Sequence, residues 1–95
     1  MIAIVVIPSP LRNLTNGERK VNISLEENSS VKDVVLMLDS KFPGIQKKIF
    51  NDNGDLHKYI NIFLEGEDIR YLEGISTQIN DGEELSIVPA VAGGY

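Results

Sequence analysis

The residues with the clearest chemical potential are two adjacent glycines near the C-terminus, Gly93 and Gly94, which are followed by Tyr95. They come after Pro89, which we expect to end the last strand because proline has no amide hydrogen for a sheet ladder. Glycine has no Cβ, so a Gly-Gly end can pass through a narrow channel. The pattern suits a chain whose terminal carboxylate is adenylated by a separate enzyme and then attacked by a sulfur nucleophile.

The composition excludes several other kinds of chemistry. The chain of 95 residues has no cysteine, so it has no disulfide, thiol nucleophile or persulfide of its own. A formal net charge of -5 repels nucleic-acid phosphates and favours a partner with a basic docking surface, so we expect no nucleic-acid partner. The apolar run at 2–7 is too short to span a membrane. We therefore expect a cytoplasmic protein with no membrane partner, monomeric when free.

Other groups with catalytic or metal-binding potential fit turns better. His57 is the sole histidine and precedes a predicted strand, which favours a loop position. Acidic residues cluster at the glycine-containing turns 65–68 and 81–84, and neither cluster has the twelve-residue spacing of a calcium loop. We expect no metal site, no bound cofactor and no enzymatic activity.

The strands that must position the Gly-Gly end are predicted from hydrophobic periodicity. The first run is β-branched and almost uninterrupted, which predicts a central strand with both faces largely covered. A short segment, Ile69 to Tyr71, is predicted to be an edge strand. The other predicted strands are 2–7, 20–25, 59–64 and 85–89.

One main helix is predicted between the second and third strands. Ser30 is a good N-cap, and Pro43-Gly44 should end the helix. A further helical turn is possible at 45–50. The apolar face of the main helix is made by residues at helical spacing, namely Val31, Val34, Val35, Leu38 and Phe42.

This order of elements is accommodated by an α+β fold of the β-grasp type, in which the helix packs across one face of a mixed sheet. Periodicity alone leaves other small α+β folds open, for example a ferredoxin-like one. We assign residues 1–89 to the folded domain and 90–95 to a flexible tail that carries the glycines.

The chain resembles the MoaD/ThiS family of ubiquitin-like sulfur carriers over nearly its whole length. The strongest stretch is 86–94, which looks like the final strand and Gly-Gly tail of that family. Within the family the chain is most similar to the CysO branch, which carries sulfide for cysteine biosynthesis, and next to the small subunit of molybdopterin synthase. The supporting stretches are 7–8, 11–12, Thr15, 56–62 and 81–82.

The resemblance implies a ubiquitin-like β-grasp roll and a set of partners. An E1-like adenylyltransferase of the MoeB/ThiF type, using ATP and magnesium, would activate Gly94, which becomes the acyl and thiocarboxylate site. Val91, Ala92 and Gly93 would thread into the partner. A sulfur-accepting synthase, which for this branch is a cysteine synthase, would then take the sulfur, so the carrier is a co-substrate.

Tyr95 departs from the family pattern, because the active form of these carriers ends in Gly-Gly. Its ring and carboxylate would put the activated carbon one residue too far out. Some similar carriers have a short extension that a zinc-dependent JAMM-type metalloprotease removes, which makes the Gly94–Tyr95 bond a candidate processing site. The alternative is that Tyr95 is incidental.

Two rival functions and one surface remain open at this level. A ubiquitin-like modifier would join Gly94 to target lysines, and a non-covalent β-grasp interaction module would have no tail chemistry. The sheet face opposite the helix is expected to carry exposed apolar residues if it docks on partners. Strand parity makes Tyr59, Phe63 and Tyr71 the candidates, although they fit the core equally well.

Overall fold

The computed structural model describes residues 1–89, which form a five-stranded mixed sheet with one main helix across one face. The strands are β1 Ile2–Val6, β2 Lys20–Ser24, β3 Ile60–Leu64, β4 Glu67–Asp68 and β5 Glu84–Pro89, and the helices are α1 Val31–Lys41 and α2 Gln46–Ile49. The order is β2-β1-β5-β3-β4. The central pair β1 and β5 is parallel and every other neighbouring pair is antiparallel. This is the predicted β-grasp roll.

Strand β1 is central, as predicted, but only one of its faces is covered within this chain. Ala3 and Val5 are fully buried against the helix side of the sheet. On the opposite side Ile4 and Val6 are half-buried and Ile2 is 38% exposed. The prediction that both faces are largely covered is therefore wrong, because α1 packs on one face and no element within residues 1–89 packs on the other.

Helix α1 begins and ends where the sequence predicts. The Ser30 Oγ accepts a hydrogen bond from the Asp33 amide at 3.3 Å, and the Asp33 carboxylate accepts one from the Ser30 amide at 2.8 Å, which completes a capping box. Gly44 follows the helix with φ +101°, a value that strongly favours glycine. The buried face of α1 consists of Val31, Val34, Val35 and Leu38. No helix within residues 1–89 is long and apolar enough to cross a membrane.

The predicted edge strand at 69–71 is wrong. Ile69–Tyr71 is a 3-10 helix, and the edge strand is the shorter β4 just before it. Glu65 and Gly66 both have positive φ, 50° and 83°, as a two-residue hairpin turn requires. Pairing therefore starts directly after Gly66. The Asp68 carboxylate then accepts the Arg70 amide at 2.9 Å, which caps the 3-10 helix and ends the strand.

The long connection between β1 and β2 is held by its own polar groups. Thr15 is fully buried, and its hydroxyl donates to the carbonyls of Arg12 and Glu18 at 3.3 and 2.9 Å. The Arg12 Nε donates to the Ile7 carbonyl at 3.0 Å. These bonds fix the loop beyond the end of β1 and satisfy buried groups that would otherwise be costly.

Candidate functional site

The predicted chemical residues, Val91 to Tyr95, lie outside the described residues. What residues 1–89 define is the point at which the chain leaves the sheet and the surface around that point. We call Val88 and Pro89, the last two described residues, the tail root.

The tail root lies near the centre of the sheet, because β5 runs between β1 and β3. Strand β1 pairs with β5 only from Glu84 to Ser86, whereas β3 pairs with it from Leu85 to Pro89. The tail root is therefore bound on one side by β3 and lies past the end of its pairing with β1.

Pro89 fits this position without breaking a hydrogen bond to β3. The Glu65 amide donates to the Glu84 carbonyl at 2.9 Å, and bonded pairs alternate along an antiparallel ladder. Asn61 and Val88 are then a bonded pair, and the Pro89 nitrogen points away from β3. Pro89 is opposite Ile60, the first residue of β3, whose amide donates to the His57 carbonyl at 3.0 Å. Ile60 and Pro89 are the last pair of this ladder within residues 1–89.

The sheet face opposite α1 carries an apolar surface beside the tail root. By strand register, Val6 and Phe63 flank Ser86 on either side, and Val88 follows Ser86 on the same face. Phe63 and Val6 are half-buried, and Val88 is 39% exposed. We call this set, with Ile4, the outer sheet face. The small Ser86 side chain lies between the two larger apolar side chains of Val6 and Phe63.

Polar groups border the outer sheet face. Lys20 and Glu84 form an ion pair of 3.4 Å between exposed side chains across β1. The Glu65 carboxylate accepts the Glu84 amide at 2.6 Å. Asn61, beside Val88, has a buried Oδ1 with no hydrogen-bond partner within residues 1–89. This border is polar and mixed in charge, as the rim of a protein interface usually is.

Of the three aromatic residues predicted for a partner surface, the sheet brings only Phe63 onto the outer sheet face. Tyr59 precedes β3, is 58% exposed, and its ring stacks on His57 with centroids 5.5 Å apart. Tyr71 is 83% exposed and belongs to the 3-10 helix, not to a strand. The residues that sequence reasoning missed are Ile4, Val6 and Val88. Side chains alternate between the two faces of any strand, which places Ile4 and Val6 on the same face of β1, but the uninterrupted apolar run predicted that this face was covered.

The acidic turns are structural in the part of the chain that the structure describes. The Asp81 carboxylate accepts the Ile2 amide at 2.7 Å, and the Glu83 carboxylate accepts the Asn80 amide at 2.6 Å. Asp68 is largely buried and forms a bidentate pair with Arg70, with Nη2 to Oδ2 at 2.7 Å. Hydrogen bonds from the Arg70 side chain and amide hold the pKa of the Asp68 carboxyl below its usual value. Within residues 1–89 no three His, Asp or Glu side chains are grouped to hold a metal ion.

Sequence comparison and structure comparison both find similarity to small sulfur carrier and modifier proteins. Residues 5–94 match the ThiS family model. The sulfur carrier protein CysO of Mycobacterium tuberculosis H37Rv is 36% identical over 92 residues, which are 95% of this chain and 96% of CysO.

Solved structures agree with that comparison. A chain of the crystal structure of the Amycolatopsis orientalis BexX/CysO complex superimposes with a TM-score of 0.87 at 34% identity, over 97% of this chain and 99% of that one. The solution structure of small archaeal modifier protein 1 from Methanosarcina acetivorans gives a TM-score of 0.81 at 33% identity, over 98% and 96% of the two chains. With the β-grasp sheet and the family match over nearly all of its length, the chain belongs to the ThiS family.

Proposed function

We propose that the protein is a sulfur carrier in which Gly94 becomes a thiocarboxylate. The observation that carries the proposal is the extent of the family match, which runs to Gly94 and stops before Tyr95. The match supports Gly94 as the functional end of the chain. The 36% identity to CysO of M. tuberculosis supports the same role.

The chemistry takes three steps. Hydrolysis of the Gly94–Tyr95 peptide bond uses one water and releases tyrosine, which leaves a carboxylate on Gly94. Attack of this carboxylate on the α-phosphorus of ATP forms the acyl-adenylate and releases pyrophosphate. Sulfide, supplied by a donor, then attacks the acyl carbon and expels AMP, which leaves the thiocarboxylate. All of the transferred sulfur is held on the backbone carbonyl carbon, so the absence of cysteine from this chain is no obstacle.

Three partner enzymes follow from these steps. An E1-like adenylyltransferase of the MoeB/ThiF type provides the ATP and magnesium chemistry, and a JAMM-type zinc metalloprotease removes Tyr95. A sulfur-accepting synthase, which we propose to be a cysteine synthase, consumes the thiocarboxylate. The carrier itself acts as a co-substrate, in the cytoplasm, and binds no cofactor.

The outer sheet face is the proposed docking surface for the activating enzyme. It adjoins the tail root through Val88, so a partner seated on Phe63 and Val6 would receive the chain end directly beside its contact area. Ordering a tail costs conformational entropy, and a rigid anchor next to it reduces the length of chain that must be ordered. The negative net charge of -5 favours a basic partner surface.

Intact-mass spectrometry of the protein isolated from its native cells tests the proposal. The expected species has lost the mass of one tyrosine residue and gained the difference between a sulfur and an oxygen atom. A Gly94→Ala variant should abolish the sulfur-containing species, whereas an exposed loop control, Asn53→Ala, should retain it. An unprocessed chain that keeps Tyr95 in cells making the pathway product would overturn the proposal.

A protein modifier is the second candidate, and the likeness to the archaeal modifier supports it. In that case the same mass experiment would show isopeptide conjugates of Gly94 on lysines of other proteins, and no thiocarboxylate. Two further functions differ from the carrier in their products. A molybdopterin synthase small subunit would pass its sulfur to molybdopterin, and a non-covalent β-grasp module would show no change at Gly94.

A further inference from the structure

The open edge of the sheet at β2 has a self-complementary arrangement of backbone and charge. Three hydrogen bonds fix which β2 groups face β1. The Met1 ammonium group donates to the Leu25 carbonyl and the Leu25 amide donates to the Met1 carbonyl, both at 2.8 Å, and the Ile7 amide donates to the Arg19 carbonyl at 2.8 Å. Because bonded pairs alternate in an antiparallel ladder, the amides and carbonyls of the even-numbered residues of β2 point away from β1. Strand β2 is first in the sheet order, so no strand within residues 1–89 pairs with these groups and they face an open edge.

The charges at the two ends of β2 are opposite in sign. Arg19 and Lys20 lie at its beginning, Glu26 and Glu27 lie just past its end, and all four are exposed. Two copies of such a strand placed antiparallel would bring the basic end of each beside the acidic end of the other. In a register with Asn22 opposite Ser24 of the second copy, the outward-pointing amides and carbonyls of the even-numbered residues can bond to each other across the two copies.

In that same register, Lys20 comes opposite Glu26 of the second copy, and Arg19 comes close to Glu27 of the second copy, which lies in the turn after β2. In the free chain Lys20 lies 3.4 Å from Glu84, but its side chain is 65% exposed and can turn toward a new partner.

An unfilled groove runs beside this edge on the helix side. Met37 and Leu36 of α1 are 47% and 39% exposed, and with Leu25 they form the apolar part of a groove of about 750 Å³. The rest of the lining is polar and acidic, namely Ser24, Glu26, Glu27, Asn28, Ser29 and Asp33. A two-fold axis perpendicular to the sheet would keep both helices on the same side. The apolar side chains of both copies would then face each other above the paired strands, where they lose contact with water.

We propose that a second copy of this chain is the occupant of this edge, so that two sheets join through β2 into one continuous ten-stranded sheet. Alternating backbone bonds, four cross-strand charge pairs and the Leu36 and Met37 side chains hold the dimer. The edge is small and polar, so the association is concentration-dependent and the chain is monomeric when dilute. Strand β5 and the tail root lie on the far side of β1 from this edge, so the contacts between the two copies do not involve the tail root. The inference is independent of the proposed sulfur chemistry.

Charge reversal tests the proposal, because the basic end of β2 in each copy would face the acidic end of β2 in the other copy. Sedimentation equilibrium of the full chain from about 10 μM to about 1 mM should show a monomer–dimer equilibrium. Two variants, Glu26→Lys/Glu27→Lys and Arg19→Glu/Lys20→Glu, should each dimerise at least about tenfold more weakly, since like charges then face each other. An equimolar mixture of the two variants should recover the association as a heterodimer.

Association in the mixture would show that the two variants are still folded and that the opposite charges of the two copies hold the dimer together. All four positions are exposed, and circular dichroism should be the same for each variant. Amide chemical shifts that change with concentration should be confined to 19–27 and to the exposed side of α1. A chain that remains monomeric at about 1 mM, a mixture that does not associate, or a β2 edge that binds only a peptide from another protein would each overturn the proposal.

Discussion

Pro89, the last described residue of β5, lies opposite Ile60, the first residue of β3. This is the last pair of the ladder among the described residues: the Ile60 amide donates to the His57 carbonyl, and the Pro89 nitrogen points away from β3. The tail root is held on the sheet by the pairing of Val88 with Asn61. Under the proposed function, this position determines which surface a partner contacts when it receives the chain end. Substitutions on this surface should impair activation of the carrier, whereas substitutions in the core beneath it should lower the free energy of unfolding.

Val88→Asp should impair activation of the carrier without unfolding it. Val88 is 39% exposed on the outer sheet face, next to the tail root, so a carboxylate there leaves the core intact but opposes docking of an apolar partner surface. We expect adenylation of a chain ending at Gly94 to fall about tenfold or more, as for a residue central to an interface. Pyrophosphate exchange catalysed by the activating enzyme measures this.

The matched control for Val88→Asp is Asn53→Asp, which places the same charge on an exposed loop. It should activate normally. If both variants lose activity equally, net charge and not the outer sheet face controls docking. If neither does, the partner uses another surface, while the proposed chemistry at Gly94 stands.

The ion pair between Asp68 and Arg70 should make part of the stability depend on pH in the acid range. Since the folded pKa of Asp68 is lowered, its contribution is present above the unfolded-state pKa of about 3.9 and is lost as the pH falls through the folded pKa. The loss of stability caused by Arg70→Gln should therefore be full near neutral pH and shrink under acid. Urea unfolding at a series of pH values measures this difference.

Arg12→Gln is the control for that pH series. Arg12 donates to the Ile7 carbonyl and the Ser9 hydroxyl, neither of which titrates in this range. Its effect on the free energy of unfolding should change little between neutral and acid pH. If the difference in free energy of unfolding between the unmodified protein and Arg70→Gln stays the same in acid, the Arg70 side chain is not the cause of the lowered Asp68 pKa.

Leu38→Ala should destabilise the fold far more than Leu36→Ala on the same helix. Leu38 is fully buried and Leu36 is 39% exposed. Truncation of a buried leucine costs about 2–5 kcal/mol through lost burial and the remaining cavity, whereas an exposed change costs about 0.5 kcal/mol. Denaturant unfolding compares the two, and equal losses would show that α1 does not pack as described.

The elements that sequence reasoning predicted well are those fixed by local chemistry. Ser30 and the apolar positions of α1 define a helix from capping and spacing alone, and both are confirmed. The alternation of β2 and β3 likewise agrees with their burial patterns. In each case the signal lies within one segment of chain.

The wrong predictions concern segments whose structure depends on contacts with residues outside the segment. Ile69 to Tyr71 has the composition of a strand, but the Asp68 side chain captures the Arg70 amide and ends the ladder first. The apolar residues of β1 indicated burial on both faces, but periodicity does not reveal whether a face is covered by this chain or left for a partner. For the site, the glycines were evident from composition and position, whereas Val6 and Val88 became partners of Phe63 only through the register of three strands.

The parallel pairing of β1 with β5 has a consequence for biosynthesis. The first and last strands of the described domain are neighbours, so the sheet cannot close until β5 has emerged from the ribosome. Until then β1 lacks its central partner and the tail root has no fixed position. Under the proposed function, an activating enzyme that binds the outer sheet face recognises a surface to which β1 and β5 both contribute, so a chain in which β5 has not yet paired with β1 is not a substrate.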